Sequence, residues 1–307
     1  MQTRITLTIP AALQDTITIS LGVLFEALPF VFLGITLSVF VQTYVRQGSL
    51  IKVLPKNKFL RRSILSISGS ALPVCECGNV PLSRGLMAKG LQSQDVIVFL
   101  LAAPIINPIT ITTTIQAFPG GYMTPLRIVG ALFVANAVGW VLSSHKSTEL
   151  VTKEFRSYCE DSSHHTVRRS LSLLEHVQNF SHRFAEESTI LMPALLGGSL
   201  VAGVIQTVIP RTILTSFANE PVVAILSMII LAFIVSICAN VDAFFALSLS
   251  GIFPQSALLA FLVFGPMIDI KMLALMRTTF TTRTLVIVST LVFLFTFLFS
   301  LGAHYVI

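Results

Sequence analysis

Residues 96–118, 222–239 and 284–303 contain no Asp, Glu, Lys or Arg. A helix rises about 1.5 Å per residue, so roughly 20 such residues cross ~30 Å of hydrocarbon while pairing every backbone polar group within the segment. Residues 27–45, 128–144 and 188–210 are equally free of charge, which makes six expected spans. With a mean hydropathy of +0.84 and only 11% charged residues, a soluble globular domain is excluded, because its surface needs about twice that charge density. The expected fold class is therefore all-α, a polytopic membrane protein. The opening residues, MQTRITLTIPAALQD, lack the basic region, short apolar core and cleavage site of a signal peptide, so the first span is expected to be a permanent helix.

Residues 143–187 interrupt the apolar pattern with six Lys or Arg, seven Asp or Glu and five of the six histidines. We expect three parts: a first membrane repeat (1–142), a charged, histidine-containing cytoplasmic linker (143–187), and a second membrane repeat (188–307). Pro29, Gly34, Gln42 and Thr43 return 164 positions later as Pro193, Gly198, Gln206 and Thr207. Cys77-Gly-Asn79-Val80 returns 161 later as Cys238-Ala-Asn240-Val241, and Pro-Ile-Ile-Asn (104–107) returns as Pro-Met-Ile-Asp (266–269).

Charge bias tells how the halves face. Loop 46–62 carries six basic residues and no acid, while its counterpart near 210–220 has only Arg211 and Glu220. Arg84 and Lys89 follow the first motif, whereas 245–255 is uncharged; conversely 119–125 is uncharged and 277–283 carries Arg277 and Arg283. Lysine and arginine favour cytoplasmic loops, so the bias reverses three times between the halves, as inverted repeats with an odd number of crossings require. Segments 63–92 and 221–255 would then enter and leave on one side as broken or re-entrant helices. The alternative is four crossings per half in parallel repeat.

Chemistry concentrates in residues 73–82, PVCECGNVPL. Pro73 and Pro81 disfavour a continuous helix, and unpaired backbone survives at membrane depth only inside protein or beside a wet cavity. Thiols are soft ligands suited to thiophilic solutes or soft metals, which singles out Cys75 and Cys77 (also as metal ligands) and Cys238. Two cysteines at i, i+2 face different ways on a regular helix and reach one solute only where it unwinds. Asn79, Asn107 and Asn240 add amide dipoles and complete the substrate-binding set. Carboxylates in apolar spans are costly, and Glu26, Glu76, Asp242 and Asp269 are the proton-coupling candidates. Asp242 with Lys271 could instead form a structural ion pair, and Asp95, after Ser93, reads as a helix cap. Cys159 and the linker histidines His164, His165, His176 and His182 lack zinc-site spacing and read as incidental to a solvated connector. No phosphate-binding glycine loop is present, which excludes an ATP-driven pump in this chain.

The run Cys75-Glu76-Cys77-Gly78-Asn79-Val80-Pro81, followed by Ala103-Pro-Ile-Ile-Asn107-Pro, a charged linker and a related second half, resembles the predicted bacterial permeases that include the arsenical permeases. The resemblance implies a multi-pass permease of the cell inner membrane, not an enzyme. Its best-understood members export trivalent organoarsenicals by a proton-linked route with membrane cysteines as ligands, and Cys75 and Cys77 match that pair. Glu76 stands where small polar residues are usual. The expected function is secondary transport, as efflux, of a small thiophilic solute such as a trivalent arsenical or soft metal species. A membrane thiol oxidoreductase using the Cys75–Cys77 pair is the alternative. No cofactor is expected. The expected partners are the lipid bilayer and the solute, not nucleic acid, with self-association or a second membrane subunit left open.

Overall fold

The computed structural model of the protein describes residues 11–45, 48, 52, 54–71, 75–164, 173–208 and 220–305. Among these the fold is all-α, and the only strand-like feature is an isolated antiparallel bridge between Val151 and Phe280. The first half contributes α1 (Ala11–Tyr44), α2 (Lys58–Ser68), α3 (Glu76–Ala88), α4 (Ser93–Ala102), α5 (Pro108–Ala117) and α6 (Met123–Leu142). The connector holds α7 (Ser147–Leu150) and α8 (Lys153–His164), and α9 (Leu173–Val208) carries the chain into the second half. There α10 (Pro221–Val235), α11 (Asp242–Ser248), α12 (Gln255–Met267), α13 (Ile270–Met276) and α14 (Thr282–His304) follow.

Among the described residues, five segments are long and apolar enough to cross a membrane: Leu13–Tyr44, Met123–Leu142, Val177–Val208, Gln255–Met276 and Thr282–His304. The protein is a multi-pass membrane protein. Two of the expected spans are not continuous helices. Segment 96–118 breaks between α4 and α5, where Asn107 accepts a hydrogen bond from the Ile109 N–H at 2.9 Å and Pro108 occupies the first helical position. Such a cap starts a new helix, since proline cannot donate to the old one. Segment 222–239 stops at Val235, because Ser236 turns into the left-handed region (φ 53°, ψ 41°). The span Gln255–Met276, not expected, is itself interrupted where Asp269 caps α13 by accepting from the Met272 N–H at 2.6 Å. The Pro-Ile-Ile-Asn and Pro-Met-Ile-Asp segments thus do the same local work: each ends with the residue that caps the next helix.

The break expected across 73–81 lies on its N-terminal side. Cys75 is extended and caps α3, while Pro81 sits inside that helix. Proline lacks an N–H, so only the carbonyl of Cys77 loses its intrahelical partner, which α3 tolerates with its flanks buried. Pro73 lies outside the described residues. Close approach is made possible at Gly34, where a Cβ would stand 2.1 Å from the Gly78 carbonyl oxygen; α1 and α3 touch backbone to backbone.

One end of the bundle gathers the basic loop and the connector. Gly48 N–H donates to the Lys89 carbonyl at 3.3 Å, and the Arg61 guanidinium to Gln92 Oε1 at 3.0 Å. Ser93 N–H donates to Ser147 Oγ at 2.8 Å, and the Gln94 amide to the His145 carbonyl at 2.7 Å. Consequently α2 enters and α3 leaves at the same end. The connector pairs there with the turn after α13, through Thr152 N–H to Thr279 O (2.9 Å) and Thr281 N–H to Leu150 O (3.1 Å). Helix α12 begins at the far end, beside the last turn of α14, with Ser256 Oγ 3.2 Å from His304 Nδ1.

Candidate functional site

The two helix breaks meet. Cys238, just past the left-handed Ser236, places its Sγ 3.6 Å from Glu76 Oε2, and Cys75 Sγ, a Glu76 carboxylate oxygen and Cys238 Sγ all lie within 4.8 Å of one another. All four cysteines are free thiols. Ser236 is the only described non-glycine residue with positive φ. That conformation costs an L-residue about 1–2 kcal/mol, and such strain concentrates at functional sites.

Charge is handled by short contacts. Lys271 Nζ reaches Glu76 Oε1 at 3.1 Å and Asp269 Oδ2 at 3.7 Å, while Glu26 stands half-buried on α1. Cys75, Glu76, Cys77, Cys238, Asp269 and Lys271 are each at most 3% exposed, so the site is occluded. Two soft thiols and a carboxylate can ligate a thiophilic centre, and the Lys271 ammonium is the counter-cation of both buried carboxylates beside them. Among the described residues this is the one group with metal-ligand geometry; it takes in Glu76 and Cys238 beside Cys75 and leaves out Cys77.

The Asp242–Lys271 pair weighed as an alternative does not form. Asp242 Oδ2 accepts from Arg127 at 2.5 Å, and Arg127 donates again to Thr114 Oγ1 at 2.7 Å. Lys271 is drawn instead to the nearer Glu76. Asn240 accepts from Thr110 Oγ1 at 3.3 Å, one turn before Thr114 on α5. Asn107 serves as the α5 cap, and Asn79, one turn beyond Cys75, is buried with both amide atoms unpartnered. Asp95 is not a cap: Gln92 holds that position, and Asp95 Oδ1 and Oδ2 pair with Arg62 (2.9 Å) and Arg61 (2.6 Å). Of the linker residues, His182 pairs with Glu186 at 3.3 Å on the exposed face of α9, and His165 lies outside the described residues.

A second buried constellation lies at the C-terminal end of α3. Arg84 Nε donates to Glu187 Oε2 at 2.9 Å, and Nη1 donates to the Thr278 carbonyl (3.2 Å) and Thr279 Oγ1 (3.1 Å). Its guanidinium stacks over the rings of Phe155 (4.7 Å) and Tyr158 (5.3 Å) of α8. The Tyr158 hydroxyl donates to Glu187 Oε1 at 2.6 Å and lies 3.0 Å from Gln42 Oε1 on α1. Burial and the Glu187 carboxylate push the Tyr158 phenol up, so it remains a donor. Sequence reasoning passed over Arg127 and Glu187 because each directly borders an uncharged span and reads as a flank. Arg127 gives one signal, that it stands alone between the uncharged stretches 119–126 and 128–144; Glu187, beside Glu186 in the charged linker, gives none.

Residues 12–305 match the family described as "Predicted permease". The chain belongs to this permease family. It is 35% identical over 288 residues to the "Putative two-component membrane permease complex subunit" of Streptococcus mutans, covering 90% of each chain. It is 34% identical over 266 residues to the UPF0718 protein YcgR of Bacillus subtilis, covering 86% of this chain and 88% of that one. No solved structure matches it. For a member of a permease family, an occluded polar cluster at two helix breaks is the natural candidate for the solute site.

Proposed function

We propose that the chain is a secondary transporter of a small thiophilic solute, a trivalent arsenical or soft metal species, across the cell inner membrane. The observation that carries this reading is the Cys75–Glu76–Cys238 group, in which soft donors from both halves converge within 4.8 Å. Cys77 and Asn79 extend it along α3, and export is the direction the family resemblance implies. Glu76, Asp269 and Glu26 are the carboxylates nearest the thiols and the candidates for proton coupling, with Asp242 beyond them; a carboxylate beside the bound solute can exchange its charge for a proton as the solute leaves. The name of the Streptococcus mutans relative suggests a transport unit with a second membrane subunit. Uptake of methylarsenite, arsenite, copper, zinc and cadmium into everted vesicles is therefore measured with native membranes and with purified chain. Cys75→Ser plus Cys238→Ser is expected to lower uptake of one of these solutes by about tenfold or more, each lost ligand removing a soft contact. Unchanged uptake of every solute would remove the thiols from the mechanism.

We further propose that the halves are inverted repeats. Supporting this, α2–α3 enters and leaves at the connector's end, whereas the turn between α11 and α12 meets the opposite end of α14. Single cysteines at Lys56, Ser144 and Ser250 in a cysteine-free background test it with impermeant thiol reagents. Positions 56 and 144 are expected to label from one side and 250 from the other; labelling of 56 from one side and of 144 and 250 from the other is what four crossings per half require and would establish parallel repeats.

A further inference from the structure

The thiol cluster is closed on every side, so a solute reaches it only if a wall moves. The walls differ in how they are held. Along α1 and α3 the backbones touch at Gly34 and Gly78, and buried Val31, Ile35 and Val39 pack beside them, a contact that cannot part without exposing apolar surface. The end of α3 is held instead by a few directional polar contacts converging on Arg84.

Between cluster and lock runs a polar stripe. Cys75, Asn79 and Ser83 are spaced i, i+4, i+8 and so share one face of α3. The Asn79 amide and the Ser83 hydroxyl are buried without a partner. Many helical hydroxyls in the chain bond back to the preceding turn, as Thr36, Thr43, Ser199 and Thr207 do at 2.7–2.8 Å, whereas Ser83, like Ser20, Thr296 and Ser300, does not. Each unmade bond of this kind carries the desolvation penalty of a buried polar atom, so three such atoms in a row call for a visitor, water or solute, that satisfies them.

We infer that the Cys75–Asn79–Ser83 face of α3 is the solute's path between the thiol cluster and the connector's end. We infer also that the connector helix α8, latched to Arg84 and Glu187 through Phe155 and Tyr158, is the gate that closes it. The inference rests on the reading of the cluster as the solute site. Four elements meet at the latch: α1 through Gln42, α3 through Arg84, α9 through Glu187 and the turn after α13 through Thr278 and Thr279. Opening it therefore frees both halves at one point. Latch contacts to charged groups are individually worth about 1.5–3 kcal/mol, a range in which removing one shifts an open–closed equilibrium by about tenfold or more.

The test uses the native site thiols as reporters in a Cys159→Ser background. A small charged methanethiosulfonate is added from the side on which Lys56 is exposed, and labelling of Cys75, Cys77 and Cys238 is followed by mass. Glu187→Gln is expected to accelerate labelling by about tenfold from that side and leave the opposite side unchanged; Tyr158→Phe, which keeps the ring on Arg84, is expected to give a smaller acceleration. Ser83→Leu, placed in the path, is expected to cancel the gain. Unaltered rates in both latch variants, or equal acceleration from both sides, would overturn the gate. Thermal melting separates loosening from gating, because Tyr158→Phe preserves the packing. If labelling responds as expected but no thiophilic solute is transported, the gate stands and the solute reading falls.

Discussion

Lys271→Met is expected to be the most damaging single substitution in the site, costing about 3–5 kcal/mol, because removing one partner of a buried ion pair leaves an uncompensated charge. The geometry ranks the variants. Lys271 touches Glu76 at 3.1 Å and Asp269 at 3.7 Å, so its loss leaves two carboxylates facing each other without a cation. Glu76→Gln is milder, about 1–2 kcal/mol, since the ammonium keeps Asp269 and an amide can still accept from it. Combining the two should recover much of the loss: the double variant removes both charges of the shorter pair and leaves Asp269 capping α13 through the Met272 N–H. Thermal unfolding of purified protein in detergent, read as retained monodisperse material, gives the order. A Lys271→Met protein as stable as the parent, or Glu76→Gln worse than Lys271→Met, would show that the pair is not what holds the two breaks together.

The membrane class was legible because hydrocarbon imposes a length and a charge limit that composition alone reveals. The broken segments were legible in part. Pro73 and Pro81 announced interruption in the Cys75 region, whereas the stretch 96–118 read as one span in spite of Pro104 and Pro108, because hydropathy averages across a capped break. Segment 255–276 was passed over for the opposite reason: Asp269 and Lys271 mark it as charged, although one caps α13 and the other is neutralised by Glu76. Partner choice could not be read at all. Asp242 and Lys271 belong to the same half, but Asp242 takes an arginine from the first half and Lys271 a glutamate from the first half, and these exchanges depend on how the halves interlock. The thiols were legible as a set because their chemistry is rare in an apolar segment. What brings Cys238 rather than Cys77 into the three-donor group is the single left-handed residue Ser236, whose conformation no periodicity signals.

The Arg127–Asp242 pair should respond asymmetrically to loss of either member. Both side chains are fully buried, and neither Arg127 Nε nor Asp242 Oδ1 has another partner. In Asp242→Asn the guanidinium remains charged, since it does not lose its proton under any ordinary condition, and only Thr114 and an amide are left to meet it. A buried cation left unpaired costs about 3–5 kcal/mol. Arg127→Met leaves a carboxyl instead, which can take up a proton and become a neutral hydrogen-bonding group. Its cost should therefore be smaller and should shrink as the pH is lowered, because protonation removes the stranded charge from the folded state while the aspartate of the unfolded chain is still ionised. The gain appears as pH falls and is lost as it rises; Asp242→Asn has no such relief and stays destabilised throughout. Melting curves of both variants between mildly acidic and mildly alkaline buffer test this. Equal destabilisation with no pH dependence in Arg127→Met would mean that water reaches Asp242 once the arginine is gone, and that the α5–α6–α11 contact is a solvated vestibule instead of a sealed wall.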